Sequence, residues 1–168
     1  MPIPKFQNAY EISISQKTNT LEFITYRGLI CEVYLQSGNK IIPGFVFTAD
    51  VTYLGFLAKG PPLYDPKVLP TVMNVIIDLL EDPNAIVAFL HSATNGQDRV
   101  RARYFRMLFN KYGSQDLYKT DFELGPNDGT ASIIYRQDNI NLNVLCHLTS
   151  DEIIARMEAK DQFDDYHN

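Results

Sequence analysis

The sequence predicts a single α+β domain in which an antiparallel β-sheet packs against two main α-helices. Three observations predict it. Apolar and polar residues alternate in YEISISQ (10–16) and LEFITY (21–26), the period of half-buried strands. An unbroken apolar run at 85–90, AIVAFL, has the length and composition of a strand covered on both faces. Two longer segments, 66–82 and 98–112, repeat apolar residues at three-to-four spacing, as amphipathic helices do.

Taken in order, KTNT between the first two strands supplies a hairpin turn. Gly28 precedes LICEVYLQ, a third strand, and SGNK turns the chain into IIPGFVFT (41–48). Pro43 and Gly44 interrupt this fourth strand and predict an edge or a bulge, with VTYLGFLA continuing it after a bend. These segments form an N-terminal four-strand meander. GPPLYDP then punctuates the chain: Asp65 as cap and Pro66 at the first helical position open a helix over 66–82. Val68, Leu69, Val72, Val75, Ile76, Leu79 and Leu80 form its apolar face. Asp82-Pro83-Asn84 ends it and leads straight into the apolar strand.

After that strand come His91, Ser92, Ala93, Thr94, Asn95 and Gly96, residues that favour turns. Asp98 caps the second helix, which closes at Gly113, where a residue able to take positive φ is expected. Val100, Tyr104, Phe105, Leu108, Phe109 and Tyr112 form its core stripe, while Arg99, Arg103, Arg106 and Asn110 recur on another face. Beyond it, DLYKTDFEL and TASIIYRQ read as C-terminal strands joined by GPNDG. The alternation in INLNVLCHL (140–148) predicts one more strand, paired back through QDN. Thr149 and Glu152 make a capping box for a short C-terminal helix over 150–160. The domain thus spans 1–160, and DQFDDYHN (161–168) is an acidic, frayed tail.

Composition narrows the function classes. The 168 residues suffice for one domain with a real core, and ten Phe and ten Tyr without Trp suit a sheet-rich one. A net charge of −5 excludes a chain built to coat nucleic acid; such binding would be local to the arginine face and steeply salt-dependent. Cys31 and Cys146 both lie in apolar strand-like runs and are expected to be buried free thiols. The start, MPIPKFQNAYEI, has no apolar h-region, and no run of about 18 apolar residues occurs, so a cytoplasmic location without membrane attachment is expected.

One place suits a negatively charged partner. A strand leading through small polar residues to a helix start exposes backbone N–H groups that favour anions. Ser92 and Thr94 add hydroxyls, and Arg99, Arg103 and Arg106 add guanidinium forks. The plainer alternative is that Asp98 satisfies the helix start and the arginines only solvate that face. Neither G-x-x-x-x-G-K-[ST] nor G-x-G-x-x-G occurs, and Ser92 lacks G-x-S-x-G surroundings. HSAT and HLT resemble the paired His-x-Thr/Ser signature of two-histidine phosphoesterases. His147-Leu148-Thr149 has its spacing, whereas Ser92 and Ala93 follow His91. His91 and His147 are therefore the alternative catalytic pair, an acid and a base on either side of a phosphate. Asp121, Glu123, Asp128 and Asp138 form no recognised metal-ligand pattern, and no metal or cofactor is expected. Tyr104, Phe105 and Tyr112 have the spacing of helix packing rather than of a base-stacking platform.

The order of elements resembles a family of small uncharacterised bacterial proteins, a domain of unknown function. The resemblance rests on the helix start at Pro62 to Pro66, the apolar strand before His91, GQDRVRARYFRMLFNKY and IIYRQDN. Where the family places a helix after the IIYRQDN-like stretch, this chain has INLNVLCHL. The resemblance covers the central half of the chain and implies a fold rather than an activity. The expectation is a non-enzymatic binding or interaction protein whose arginine face takes an acidic protein or a phosphate-bearing ligand. A role in defence or in a toxin–antitoxin pair fits such a small bacterial chain. The alternative is a phosphate-handling enzyme, acting on nucleotides or phosphoesters, at the 91–99 strand–helix junction.

Overall fold

Ile86, Val87, Ala88 and Phe89 are all buried, so the strand that carries them must have neighbours along both edges and cover on both faces. The computed structural model supplies these. It describes residues 2–38, 51–59, 65–91, 103, 105–107, 109–111, 113, 115–124, 129–152 and 154–155. The strands are β1 (Ser13–Ile14), β2 (Leu21–Ile24), β3 (Ile30–Ser37), β4 (Val51–Lys59), β5 (Ile86–His91), β6 (Leu117–Glu123) and β7 (Thr130–Arg136). They form one sheet in the order β1-β2-β3-β4-β5-β7-β6. The chain is of the α+β class.

The sheet is mixed rather than wholly antiparallel. β4 and β5 run parallel, with Val51 opposite Ile86 and Tyr53 opposite Ala88, and every other pair is antiparallel. The cause lies in the connection: the twelve-residue helix α1 (Val68–Leu79) separates β4 from β5. A helix-length crossover between adjacent strands returns the chain in the same direction. The fourth strand, paired with β3, is 51–59, whereas the expected strand at 41–48 lies outside the described residues.

Alternation along the strands divides the core in two. On the first face Phe23, Cys31, Val33, Leu54, Val87, Phe89 and Ile134 pack under α1, joined by Phe105 and Phe109. On the second face Ile86, Ala88, Phe122, Ile133 and Tyr135 pack with Leu142, Leu145 and Leu148. Each fully covered Val, Ile, Leu or Phe contributes about 1.5–3 kcal/mol, so β5, which feeds both clusters, is the strand the fold can least lose.

The segment predicted as a strand at 140–148 is instead the short helix α3 (Leu142–Leu145). Asn139 redirects the chain. Its buried side chain accepts the Asn141 N–H (2.8 Å) and donates to the Ala85 carbonyl (3.4 Å), and its own carbonyl accepts the Leu142 N–H (3.0 Å). This Asx turn offers the backbone a helical start where a hairpin was expected. The apolar residues then divide by threes: Leu142, Leu145 and Leu148 face the core, while Ile140 (78% exposed) and Val144 (51%) face out. Cys146, expected to be buried, is exposed for the same reason. Cys31 is the buried thiol, and burial pushes its pKa up, assisted by the nearby Asp65 charge.

The capping box follows as expected: Glu152 accepts from the Thr149 N–H (2.9 Å) and the Thr149 hydroxyl accepts from the Glu152 N–H (3.3 Å). It opens α4, whose described residues are 150–152 and 154–155. The second predicted helix, α2, is helical at 103, 105–107 and 109–111, and its expected cap at Asp98 lies outside the described residues. Gly113 donates to the Phe109 carbonyl (2.6 Å) with φ outside the left-handed region. A Cβ there would stand 2.5 Å from that oxygen. Glycine is required at 113 by space rather than by the positive φ expected of a helix terminator.

α1 begins at Val68, two residues later than expected, because Asp65 makes a turn before the helix. Its carboxylate accepts the Lys67 N–H (2.9 Å) and the Tyr10 hydroxyl (2.7 Å). The N-terminal residues run antiparallel to the helix and are stitched to Lys67, Thr71, Asn74 and Asp78, which share one face at helical spacing. Lys5 pairs with Asp78. The Asn74 amide accepts the Phe6 N–H (2.8 Å) and donates to the Phe6 carbonyl (2.9 Å). Thr71 accepts the Tyr10 N–H (2.8 Å), and Lys67 stands over the Tyr10 ring, which stacks on Phe23. Asn74→Ala removes two hydrogen bonds at once. It is expected to lower unfolding free energy by about 1–3 kcal/mol in urea titrations and to speed exchange of the Phe6 amide. Unchanged exchange at Phe6 would show that the stitch does not hold the segment.

Candidate functional site

α2 lies on the first face of the sheet because two aromatic side chains at i and i+4 anchor it there. Phe105 and Phe109 pack against the core, and the Phe105 ring meets Phe89 of β5 at 4.6 Å between centroids. Residues on the opposite side are then forced into solvent. Arg103, Arg106, Met107 and Asn110 are all exposed, a stripe at i, i+3, i+4 and i+7.

Arg106 leans toward the sheet edge. Its Nε stands 3.7 Å from Asp121 Oδ2 of β6, an ion pair too long for a hydrogen bond, with side chains 61% and 40% exposed. Such an exposed contact contributes little. Asp121 is occupied more closely by others. Its Oδ1 accepts from Lys119 Nζ and from the Ser132 hydroxyl (2.5 Å). Lys119 is the buried partner, with a side chain only 5% exposed. Burial by itself would raise the Asp121 pKa; the Lys119 and Ser132 hydrogen bonds and the Lys119 and Arg106 charges outweigh it and hold the carboxyl below its ordinary value. The cluster therefore carries two cations against one carboxylate. Arg103, one turn before Arg106, has no ion pair among the described residues.

The other sequence-predicted site residues are placed as follows. Ser92, Thr94 and Arg99 lie outside the described residues, and His91 is described by its backbone, paired with Thr130 at the end of β5. His147 is exposed just after α3, with Nδ1 2.7 Å from the Asn143 carbonyl one turn earlier. Asp138 is paired with Arg136 in two hydrogen bonds (2.7 and 2.8 Å). Among the described residues no three His, Cys, Asp or Glu side chains gather as a metal site, and no helix is long and apolar enough to cross a membrane. Sequence reasoning missed Lys119 and Ser132. Ser132 becomes visible only through the β6–β7 register, which sets it opposite Asp121, whereas Lys119 shares a face with Asp121 because the two stand two residues apart on β6.

Compared with protein-family models, curated proteins and solved structures, the chain finds no match.

Asp121→Asn leaves Lys119 buried beside a neutral amide. The expected cost is about 1–3 kcal/mol at neutral pH. Because the folded pKa of Asp121 is lowered, its contribution is present above the unfolded carboxylate value and is lost as pH falls through the folded one. Unfolding titrations of the parent chain and the variant should therefore converge in acid. A gap that persists under strongly acidic conditions would mean the loss is not electrostatic.

Proposed function

We propose that the chain is a non-enzymatic cytoplasmic binding protein whose α2 arginine face takes an acidic protein or a phosphate-bearing ligand. One observation carries this reading. Arg103 and Arg106 project from a helix fixed by Phe105 and Phe109, and the carboxylate nearest Arg106 is already engaged by Lys119. Guanidinium groups are weakly hydrated and present planar forks of donors suited to carboxylate and phosphate oxygens. Ser92, Thr94 and Arg99 belong to the proposed site on sequence grounds alone and lie outside the described residues.

The test measures binding of poly-glutamate and of inorganic pyrophosphate by calorimetry, with Arg103→Gln and Arg106→Gln as variants. Each substitution is expected to weaken binding by about 1.5 kcal/mol, roughly tenfold, and to reduce its salt dependence. Affinity for both probes indifferent to both substitutions would remove the arginine face from the account.

A second reading, the phosphate-handling enzyme at the 91–99 junction, is favoured by Thr130. Its hydroxyl oxygen is buried and has no hydrogen-bond partner among the described residues, at the position paired with His91. Buried hydroxyls normally have partners, and a phosphate oxygen is one chemistry that would serve. This reading expects turnover of nucleotides or phosphoesters that Thr130→Val reduces and His91→Ala abolishes. Turnover that survives His91→Ala would exclude that histidine from the chemistry.

A further inference from the structure

An apolar side chain sits within the cationic stripe. Met107 is 59% exposed and lies next to Arg106, one turn after Arg103 and one turn before the exposed Asn110. The helix has no need of it there, since Phe105 and Phe109 already supply the packing side. A thioether gains nothing from a bare phosphate, which is fully hydrated and offers no apolar surface. Methionine is polarizable and unbranched, and it adapts to varied apolar partners. The four exposed residues also have the spacing by which one helix presents anchors to a docked polypeptide.

We infer that the Arg103–Arg106–Met107–Asn110 stripe docks an acidic polypeptide segment that carries an apolar side chain among its carboxylates. This rests on the arginine-face reading above and selects one of its two ligand classes. The carboxylates meet the guanidinium groups, the apolar side chain covers Met107, and the Asn110 amide meets the peptide backbone. Arg106 is available for this because its ion pair with Asp121 is a loose one, 3.7 Å at Nε, and its side chain is 61% exposed.

The experiment uses the full chain and two short labelled peptides of equal negative charge, one interleaving Glu with Leu and the other Glu with Ser. Fluorescence anisotropy reads their affinities, with pyrophosphate as a third probe. The Glu/Leu peptide is expected to bind about tenfold tighter than the Glu/Ser peptide. Met107→Gln should erase most of that advantage while leaving the Glu/Ser affinity and the salt dependence unchanged. Met107 is exposed, so the variant should keep the parent circular dichroism and melting temperature. Equal affinity for the two peptides, an advantage that survives Met107→Gln, or binding of pyrophosphate alone overturns the inference while leaving the arginine face in place. Peptide binding that ignores Arg103→Gln and Arg106→Gln overturns both.

Discussion

A strand without a polar side imposes the architecture. Ile86 and Ala88 point into one core and Val87 and Phe89 into the other, so neither face of β5 can be left to water. Its backbone groups are satisfied by β4 on one edge and β7 on the other. Covering the first face falls to α1 and α2, and covering the second falls to α3. Because α1 joins β4 to β5, the cover and the parallel pairing are one solution rather than two. A hairpin between those strands would leave Val87 and Phe89 without the helix that shields them.

α1 is itself over-supplied with apolar residues. Val72, Met73, Val75, Ile76 and Ile77 are all buried, a wider arc than one sheet face can cover. The excess is managed by laying the N-terminal residues against the helix, and the polar positions 67, 71, 74 and 78 hold them there. Thr71 shows why the segment is needed: it is fully buried, with its hydroxyl both donating to the Lys67 carbonyl and accepting from Tyr10. Without residues 2–12 that hydroxyl and the Asn74 amide would each lose a partner on a mostly apolar helix.

What was legible in the sequence follows from which forces act locally. Period-two alternation marked β1 and β2, the apolar run marked β5, and the Thr149–Glu152 box marked α4, because each signal is contained within a few residues. The three-to-four spacing of Arg103, Arg106 and Asn110 against Phe105 and Phe109 gave the two sides of α2. INLNVLCHL misled because residues 142, 145 and 148 satisfy a helical period as readily as residues 140, 142 and 144 satisfy a strand period. The decision fell to Asn139, whose side chain reaches back to Ala85, 54 residues away. Ser132 stayed hidden for a like reason: its meeting with Asp121 depends on strand register. The N-terminal stitch is a set of side chain–backbone bonds with no period, and hydrophobic patterning cannot register it.

Charge and packing together constrain what the α2 face can hold. The chain carries −5 overall, so an acidic partner approaches against the net field. At physiological salt that repulsion is screened beyond about 8 Å, which leaves the nearest charges to decide. Those are Arg103 and Arg106, with Asp121 already drawn toward Lys119. Two exposed guanidinium groups supply modest affinity by themselves, since each competes with water for its carboxylate. A partner held there needs a contribution that salt does not weaken. Apolar contact is the contribution this surface has to offer, and among the described residues of α2 the exposed apolar side chain is Met107. The aromatic anchors Phe105 and Phe109 make that contact possible, since they fix the helix against β5 and so fix the spacing of the arginines and the methionine on its outer side.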